Sequence, residues 1–149
     1  MKWLILSDNK DVIESSQRFI IENNKKDKTI CAPLELKSLS ANKKNFRELC
    51  ACIIYADAPS DIQADLGAAL SSVFGCLAAE KVSVITNIKL LYEDPVFGKD
   101  IAISCATPDN LIEVLKKKYN KISDEASMRL AKQKLLDRGI PYTSDCFGT

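Results

Sequence analysis

Three aspartates follow the most apolar stretch of the chain, and their position is where chemistry is first expected. Asp57 comes directly after the run Cys-Ile-Ile-Tyr-Ala, and Asp61 and Asp65 lie in the helix predicted next. Carboxylates in such a position can bind a ligand, attack a substrate or transfer a proton. Because ligands of open α/β sheets bind beyond the carboxyl ends of the strands, the junction around Asp57 is the predicted functional site.

The missing residue types limit what that site can do. The chain has six cysteines and no histidine. The usual zinc sites, Ser-His-Asp triads and Cys-His dyads are therefore excluded, and acid–base chemistry must come from carboxylates, tyrosine, lysine or cysteine. Most cysteines lie in apolar runs, which is typical of buried free thiols in a reducing cytosol. We predict a cytoplasmic protein without a metal centre.

Composition and motifs exclude further classes of function. The net charge is +1 and 28% of residues are charged, which is not the profile of a nucleic-acid binder. No segment is expected to reach the roughly 18 apolar residues of a membrane span. Neither Gly-x-Gly-x-x-Gly nor Gly-x-x-x-x-Gly-Lys-Ser/Thr occurs. We therefore expect no nucleic acid or membrane as partner, and no cofactor.

The elements that must position the aspartates alternate along the first 119 residues. Apolar runs predict five strands, each followed by a helical or mixed segment. This alternation predicts an α/β fold with a doubly wound, flavodoxin- or Rossmann-like parallel five-stranded sheet. The strands are predicted at residues 3–6, 29–32, 50–55, 81–86 and 100–105, with helices at 10–23, 40–49, 60–80 and 107–118 and an irregular or short helical segment at 90–97.

Helix starts are marked by capping residues. Asn9 or Asp8 can cap the first helix, and Ser60 is the expected cap of the helix after Asp57. Thr107 followed by Pro108 is a strong start signal for the last helix of the domain.

The predicted helix at residues 60–80 is rich in alanine, glycine and serine. Two alternatives follow from these small residues. The helix packs closely on its own sheet, or it packs on its twin from a second chain and forms a homodimer.

The remainder of the chain, residues 120–149, departs from the alternation. It predicts one more helix at residues 123–138, with no strand after it. Leu135-Leu136-Asp137-Arg138-Gly139, followed by Asp145-Cys146-Phe147-Gly148-Thr149, resembles the junction between two ankyrin repeats. The loop before Asp145 is one residue shorter than in that family. The resemblance implies a repeat cap here and a protein partner bound by repeats beyond Thr149.

The α/β part resembles nucleoside 2-deoxyribosyltransferase-like domains. Asp65-Leu66-Gly67-Ala68-Ala69 is similar to the helix that carries that family's catalytic glutamate, and Asp94-Pro95-Val96-Phe97 is similar to a segment of its C-terminal half. The resemblance implies Asp65 as a nucleophile on a glycosidic bond, with Asp57 or Asp61 near the sugar. Aspartate is one methylene shorter than glutamate, which would set the carboxylate back by roughly 1.5 Å and cost much of the rate.

The same residues also resemble a response-regulator receiver domain. In this comparison Asp8 matches an acidic residue after the first strand, Asp57 the phosphoacceptor, and Thr86 the switch threonine. Thr107 stands where the family has a phosphate-binding lysine, so phosphoryl transfer would lose its main charge stabilisation. The resemblance implies a pseudo-receiver.

Three functions remain open from the sequence. The first is a non-catalytic sensing or protein-interaction module before an ankyrin array, which binds a nucleotide-like ligand through Asp8, Asp57, Asp61 and Thr86. The second is an N-glycosidic enzyme with Asp65 as its catalytic residue. The third is a pseudo-receiver signalling domain.

Overall fold

The computed structural model describes residues 1–34 and 46–139. Five strands and five helices alternate through them, and two of the helices are a single turn long. The elements are β1 (Lys2–Ser7), α1 (Lys10–Asn23), β2 (Lys28–Ala32), β3 (Leu49–Tyr55), α2 (Pro59–Ala79), β4 (Ser83–Thr86), α3 (Lys89–Tyr92), α4 (Gly98–Ile101), β5 (Ala102–Ser104) and α5 (Pro108–Asp137).

The five strands form one sheet in the order β2-β1-β3-β4-β5, and every pair is parallel. The predicted doubly wound α/β fold is therefore confirmed. β3 lies at the centre and all seven of its residues are buried, as expected for a strand covered by helices on both faces.

Each face of the sheet carries its own apolar core, because successive side chains of a strand point to opposite faces. In β1, Trp3 and Ile5 pack in the core beneath α1 and α5. Leu4 and Leu6 pack in the core beneath α2. The two cores together fix the layers that hold the carboxyl ends of the strands in place.

Helix α2 covers one face with its large side chains and leaves its small ones outside. Leu70, Val73, Phe74 and Leu77 are buried against the sheet, whereas most of its alanines and serines are exposed. By length and composition alone α2 is apolar enough to cross a membrane, which the sequence analysis did not expect. Its packing on the sheet makes it a layer of the α/β fold.

Two helix starts follow the predicted capping chemistry and one does not. Asn9 Oδ1 accepts a hydrogen bond from Val12 N at 2.9 Å, and Thr107 Oγ1 accepts one from Asn110 N at 3.1 Å. For α2 the prediction was wrong, because Ala58 is the N-cap, without a side-chain bond, and Pro59 opens the helix. Pro59 begins the helix earlier because its fixed φ suits the first helical position.

The predicted strand at residues 100–105 was wrong in extent. Residues 98–101 form α4, and only Ala102–Ser104 form β5. β4 is likewise shorter than predicted and begins at Ser83. Apolar alternation alone cannot place a strand end, because a short helical turn buries a residue such as Ile101 equally well.

The largest correction concerns the end of the chain. Two helices were expected, at 107–118 and 123–138, but α5 is one helix of 30 residues that passes the predicted domain boundary at 119/120 without a break. Tyr119, Ile122 and Ala126 continue the buried stripe of Leu111 and Leu115. The segment between the expected helices contains neither glycine nor proline, so nothing stops the helix there.

Two further predictions lie partly or wholly outside the described residues. Most of the helix predicted at residues 40–49 is not described, and its last residue, Leu49, begins β3. The ankyrin-like turn at residues 145–149 also lies outside them. Among the cysteines, Cys50, Cys52 and Cys105 are buried as expected, but Cys31 is exposed on the edge strand β2.

Candidate functional site

The strand order places the predicted site at a switch point of the sheet. The chain leaves β1 toward β2 on one side and leaves β3 toward β4 on the other, so the connections that follow β1 and β3 run in opposite directions along the sheet. In sheets of this order a ligand crevice forms there. Asp8 follows β1 and Asp57 follows β3, and both are exposed.

Direct hydrogen bonds bridge this switch point. Asp57 N donates to Asp8 Oδ1 at 3.0 Å, and Asn9 Nδ2 donates to Asp57 Oδ1 at 2.7 Å. Ser7 Oγ accepts from Asn9 N at 3.1 Å. The loops after β1 and β3 are thus joined across the position where a ligand would enter.

Hydrogen bonds join the loop after β4 to the loop after β3 in the same way. Asn87, which follows β4, accepts from Ala56 N at 3.0 Å and donates to Ala56 O at 2.7 Å. Thr86 is fully buried, and its Oγ1 accepts from Ile88 N at 3.0 Å. The hydroxyl of Thr86 therefore organises its own turn.

The other two aspartates lie apart from this junction. Asp61 and Asp65 are exposed on α2, and neither side chain makes a hydrogen bond or ion pair within residues 1–34 and 46–139. Gln63, between them in sequence, does bond to a neighbouring element, since its Oε1 accepts from Leu90 N at 3.0 Å. Asp65 is not held by any neighbour in the way a nucleophile is oriented.

Four polar residues that follow β1, β3 and β4 form the rim of the site, namely Asp8, Asn9, Asp57 and Asn87. Tyr55 lies at the end of β3, beneath this rim. Burial raises the pKa of its phenol, and negative charge on Cys105, Asp57 and Asp8 raises it further. The phenol stays protonated at neutral pH and is not a base there.

At the end of β5 the position of the receiver family's lysine is occupied by a helix cap. The hydroxyl of Thr107 accepts the hydrogen bond that begins α5, and Asn110 Oδ1 accepts from Ala106 N at 2.8 Å. No cationic side chain is supplied from this turn, which the structure describes completely.

The structure thus brings Asp8 and Asp57 together, buries Thr86 beside the next junction, and leaves Asp61 and Asp65 on the outer surface of α2. Sequence analysis missed Asn9 and Asn87 as members of the rim, although Asn9 was expected as a cap. A signal was present, because each asparagine closely follows an apolar run and asparagine side chains readily bond to nearby backbone.

The rim offers few free groups for catalysis. Asp8, Asn9, Asp57 and Asn87 each have a hydrogen-bond partner in the chain itself. Within the residues that the structure describes, no group of three or more His, Cys, Asp or Glu side chains could hold a metal ion. The arrangement ties three strand ends together.

Comparison of the chain with protein-family models, with curated protein sequences and with solved structures gave no match. The resemblances to deoxyribosyltransferases, receivers and ankyrin repeats therefore stay predictions.

Proposed function

We propose that this chain is a non-catalytic protein-interaction module. One observation carries the proposal: the polar groups at the switch point bond to one another across it. An enzyme of this fold needs donors and acceptors aimed at a substrate, whereas Asp57 and Asn9 are aimed at each other, 2.7 Å apart.

The glycosidic alternative is less favoured by the position of Asp65. A nucleophile must stand within contact distance of the reacting carbon and be oriented by neighbours. Asp65 is exposed and unsupported among the described residues. Its shorter side chain, compared with the glutamate of the resembling family, adds to that deficit.

The proposed partner is another protein, which binds in the cytoplasm to ankyrin repeats beyond Thr149, with the end of α5 as part of their cap. The end of α5 suits this part of the proposal. Gly139 has a φ of 73° and its N–H bonds Leu136 O at 3.0 Å, which is the glycine stop that the Leu-Leu-x-x-Gly pattern predicts. Leu136 is 48% exposed, so it is available to a following helix.

A turnover assay tests the proposal. Wild type and Asp65→Asn are incubated with deoxynucleosides, nucleotides and NAD, and released base is measured by mass spectrometry, with Asp61→Asn as the matched control on the same helix. We expect no base from any of them. Base released by wild type and by Asp61→Asn but not by Asp65→Asn would overturn the proposal. A nucleotide that raises the melting temperature without turnover would identify the ligand of a sensing module.

A pseudo-receiver is the second candidate, and the contact between Asp8 and Asp57 favours it. The 2-1-3-4-5 strand order is also the order found in receiver-type sheets. Such a module would signal by binding and not by phosphorylation, since Thr107 replaces the cation that stabilises the transferred phosphoryl group.

Treatment with acetyl phosphate and Mg²⁺ tests this candidate. The intact mass of the wild type should stay unchanged, as should that of Asp57→Asn. Addition of one phosphoryl group to wild type alone would show a working receiver and contradict both non-catalytic proposals.

A further inference from the structure

A cavity lies at the edge of the sheet opposite the switch point, near the amino ends of β4 and β5. Its volume is about 480 Å³, within the range of about 300–1,000 Å³ typical of small-molecule sites. Apolar side chains from two elements, Phe97 before α4 and Ile101 within it, form part of its wall. The cavity shares none of its residues with the switch point.

Charged groups of both signs line this cavity without neutralising one another. Lys81 and Arg129 supply two cations, and Asp100 and Glu125 supply two carboxylates. In the described part of the chain none of these four side chains is in an ion pair. A polyanion would meet two carboxylates and a polycation two cations, so the lining matches a ligand that is neutral overall and carries both charges.

The two cations and the two carboxylates border different adjoining cavities. Arg129 Nη1 donates to Lys81 O at 3.0 Å, and the two residues share a small adjoining cavity at one end, which Glu80 also lines. Asp100 and Glu125 share another at the other end, together with three lysines that do not line the main cavity. Glu125 and Arg129 are one helical turn apart on α5, which sets their Cβ atoms about 5–6 Å apart.

The backbone at Lys81 has a conformation that is uncommon for a residue other than glycine. Lys81 has a φ of 57°, in the left-handed region. It occupies the position after the α2 cap in a Schellman motif, with Lys81 N bonding Ala78 O and Val82 N bonding Leu77 O, both at 3.0 Å. Glycine is the usual residue there because it has no Cβ to clash. The chain carries instead a lysine, which is one of the residues that line the cavity.

We propose that this cavity binds a free α-amino acid with an apolar side chain. The ligand's carboxylate would lie at the end with Lys81 and Arg129, and its ammonium at the end with Asp100 and Glu125. Its side chain would pack on Phe97, which is 40% exposed. Charge-assisted hydrogen bonds at both ends are about twice as strong as neutral ones, which favours a zwitterion over an uncharged sugar.

The test is titration of the ¹⁵N-labelled full chain with L-leucine, followed by backbone amide shifts in NMR. We expect saturable shifts at residues 81–83 and 97–101. Leucinamide, which lacks the carboxylate, and N-acetylleucine, which lacks the ammonium, should each bind at least about tenfold more weakly. Leucinamide or glucose binding as tightly as leucine at the same amides would overturn the proposal, as would no shift with leucine at about 10 mM, where even a millimolar site is filled.

Variants separate binding from folding. Lys81→Gly removes the cation and the strain of a left-handed conformation at a residue with a Cβ. It should therefore keep or raise the melting temperature while weakening leucine binding at least about tenfold. Glu125→Gln should weaken leucine binding to a similar extent but leave the affinity for N-acetylleucine unchanged. Lys116→Gln, on the same helix outside the cavity, is the matched control. Unchanged affinity in both Lys81→Gly and Glu125→Gln would contradict the assignment.

Discussion

Arg129 is the residue that fastens the second half of α5 to the sheet. Its Nη1 donates to Lys81 O and its Nη2 to Leu49 O, just before β4 and at the start of β3. Burial lowers the pKa of the guanidinium, yet an arginine keeps its charge under these conditions. Beyond Ala126 no residue of α5 is fully buried. The two hydrogen bonds of Arg129 therefore replace apolar packing there.

We expect Arg129→Met to destabilise the chain by about 2–3 kcal/mol, because two backbone carbonyls lose a charged donor. Arg129→Lys should recover only part of this, since one ammonium cannot copy the planar fork. Urea unfolding measures both variants. Arg138→Met, in the exposed last turn, is the control and should change stability by less than about 0.5 kcal/mol. Equal effects of Arg129→Met and Arg138→Met would show that the two Arg129 hydrogen bonds contribute nothing to the free energy of unfolding.

A second residue-scale feature is the buried acid Asp27. It is 3% exposed, and its two oxygens accept from the Met1 amino group at 3.2 Å and from the Tyr119 hydroxyl at 2.7 Å. The Tyr119 ring stacks on Trp3 with centroids 5.5 Å apart. Neither Asp27 nor Arg129 was singled out from the sequence, because their partners lie between 26 and 92 residues away and no local pattern records such pairs.

At the scale of elements, the continuity of α5 is the feature that a single substitution can examine. Asn120 is exposed and lies where an interhelical loop was predicted. In a helix interior, Asn120→Ala should stabilise the chain by about 0.5 kcal/mol and Asn120→Pro should cost about 3 kcal/mol or more. Thermal unfolding followed by circular dichroism would measure both. A loop at this position would tolerate proline and gain nothing from alanine.

The elements were predictable to the extent that their signals are local. All five strands were expected in the right order along the chain, because a strand buried on both faces reads as an apolar run. The helix starts at Asn9 and Thr107 were expected from capping chemistry. Strand ends near Ile101, the start of α2 and the single helix α5 were not, because each depends on packing between distant segments. At the rim, strand order alone brings Asp8 near Asp57. The hydrogen bonds between the loops after β1 and β3 were not predictable, because they depend on side-chain rotamers.

Helix α2 presents outward the small residues on which the predicted homodimer depends. Its large residues make the sheet contact, and small ones such as Ala64, Ala68 and Ser72 face outward. A 21-residue helix is about 32 Å long and roughly 10 Å wide. Two copies packed on this face would therefore bury roughly 600 Å², about half of what a specific interface requires.

A homodimer formed through α2 alone should consequently be weak. We expect sedimentation velocity to show a monomer at about 10 µM and self-association only toward about 1 mM, the range of weak contacts. Ala68→Glu should abolish that association. The same substitution at Ala131, exposed on α5, should not. A stable dimer at about 10 µM that survives Ala68→Glu would place the interface elsewhere.

For the molecule as a whole, the buried thiols and phenols predict that the folded chain loses stability at alkaline pH. Burial raises the pKa of Cys50 and of Cys105 from 9.0 to about 12, and it also raises the pKa values of Cys52 and Tyr119. A group with a raised pKa keeps its proton longer in the folded chain. Its contribution to stability is complete below the ordinary pKa and is lost as pH climbs toward the raised value.

The free energy of unfolding should therefore be level below about pH 8 and fall between about pH 9 and 12, on the order of 1 kcal/mol per pH unit for each group. Urea unfolding at a series of pH values would measure this decline. The double variant Cys50→Ala and Cys105→Ala should be less stable at pH 7, because it leaves cavities, but should decline less steeply above pH 9. Its lysines and tyrosines are those of the wild type, so an unchanged slope would mean that the thiols do not couple to folding.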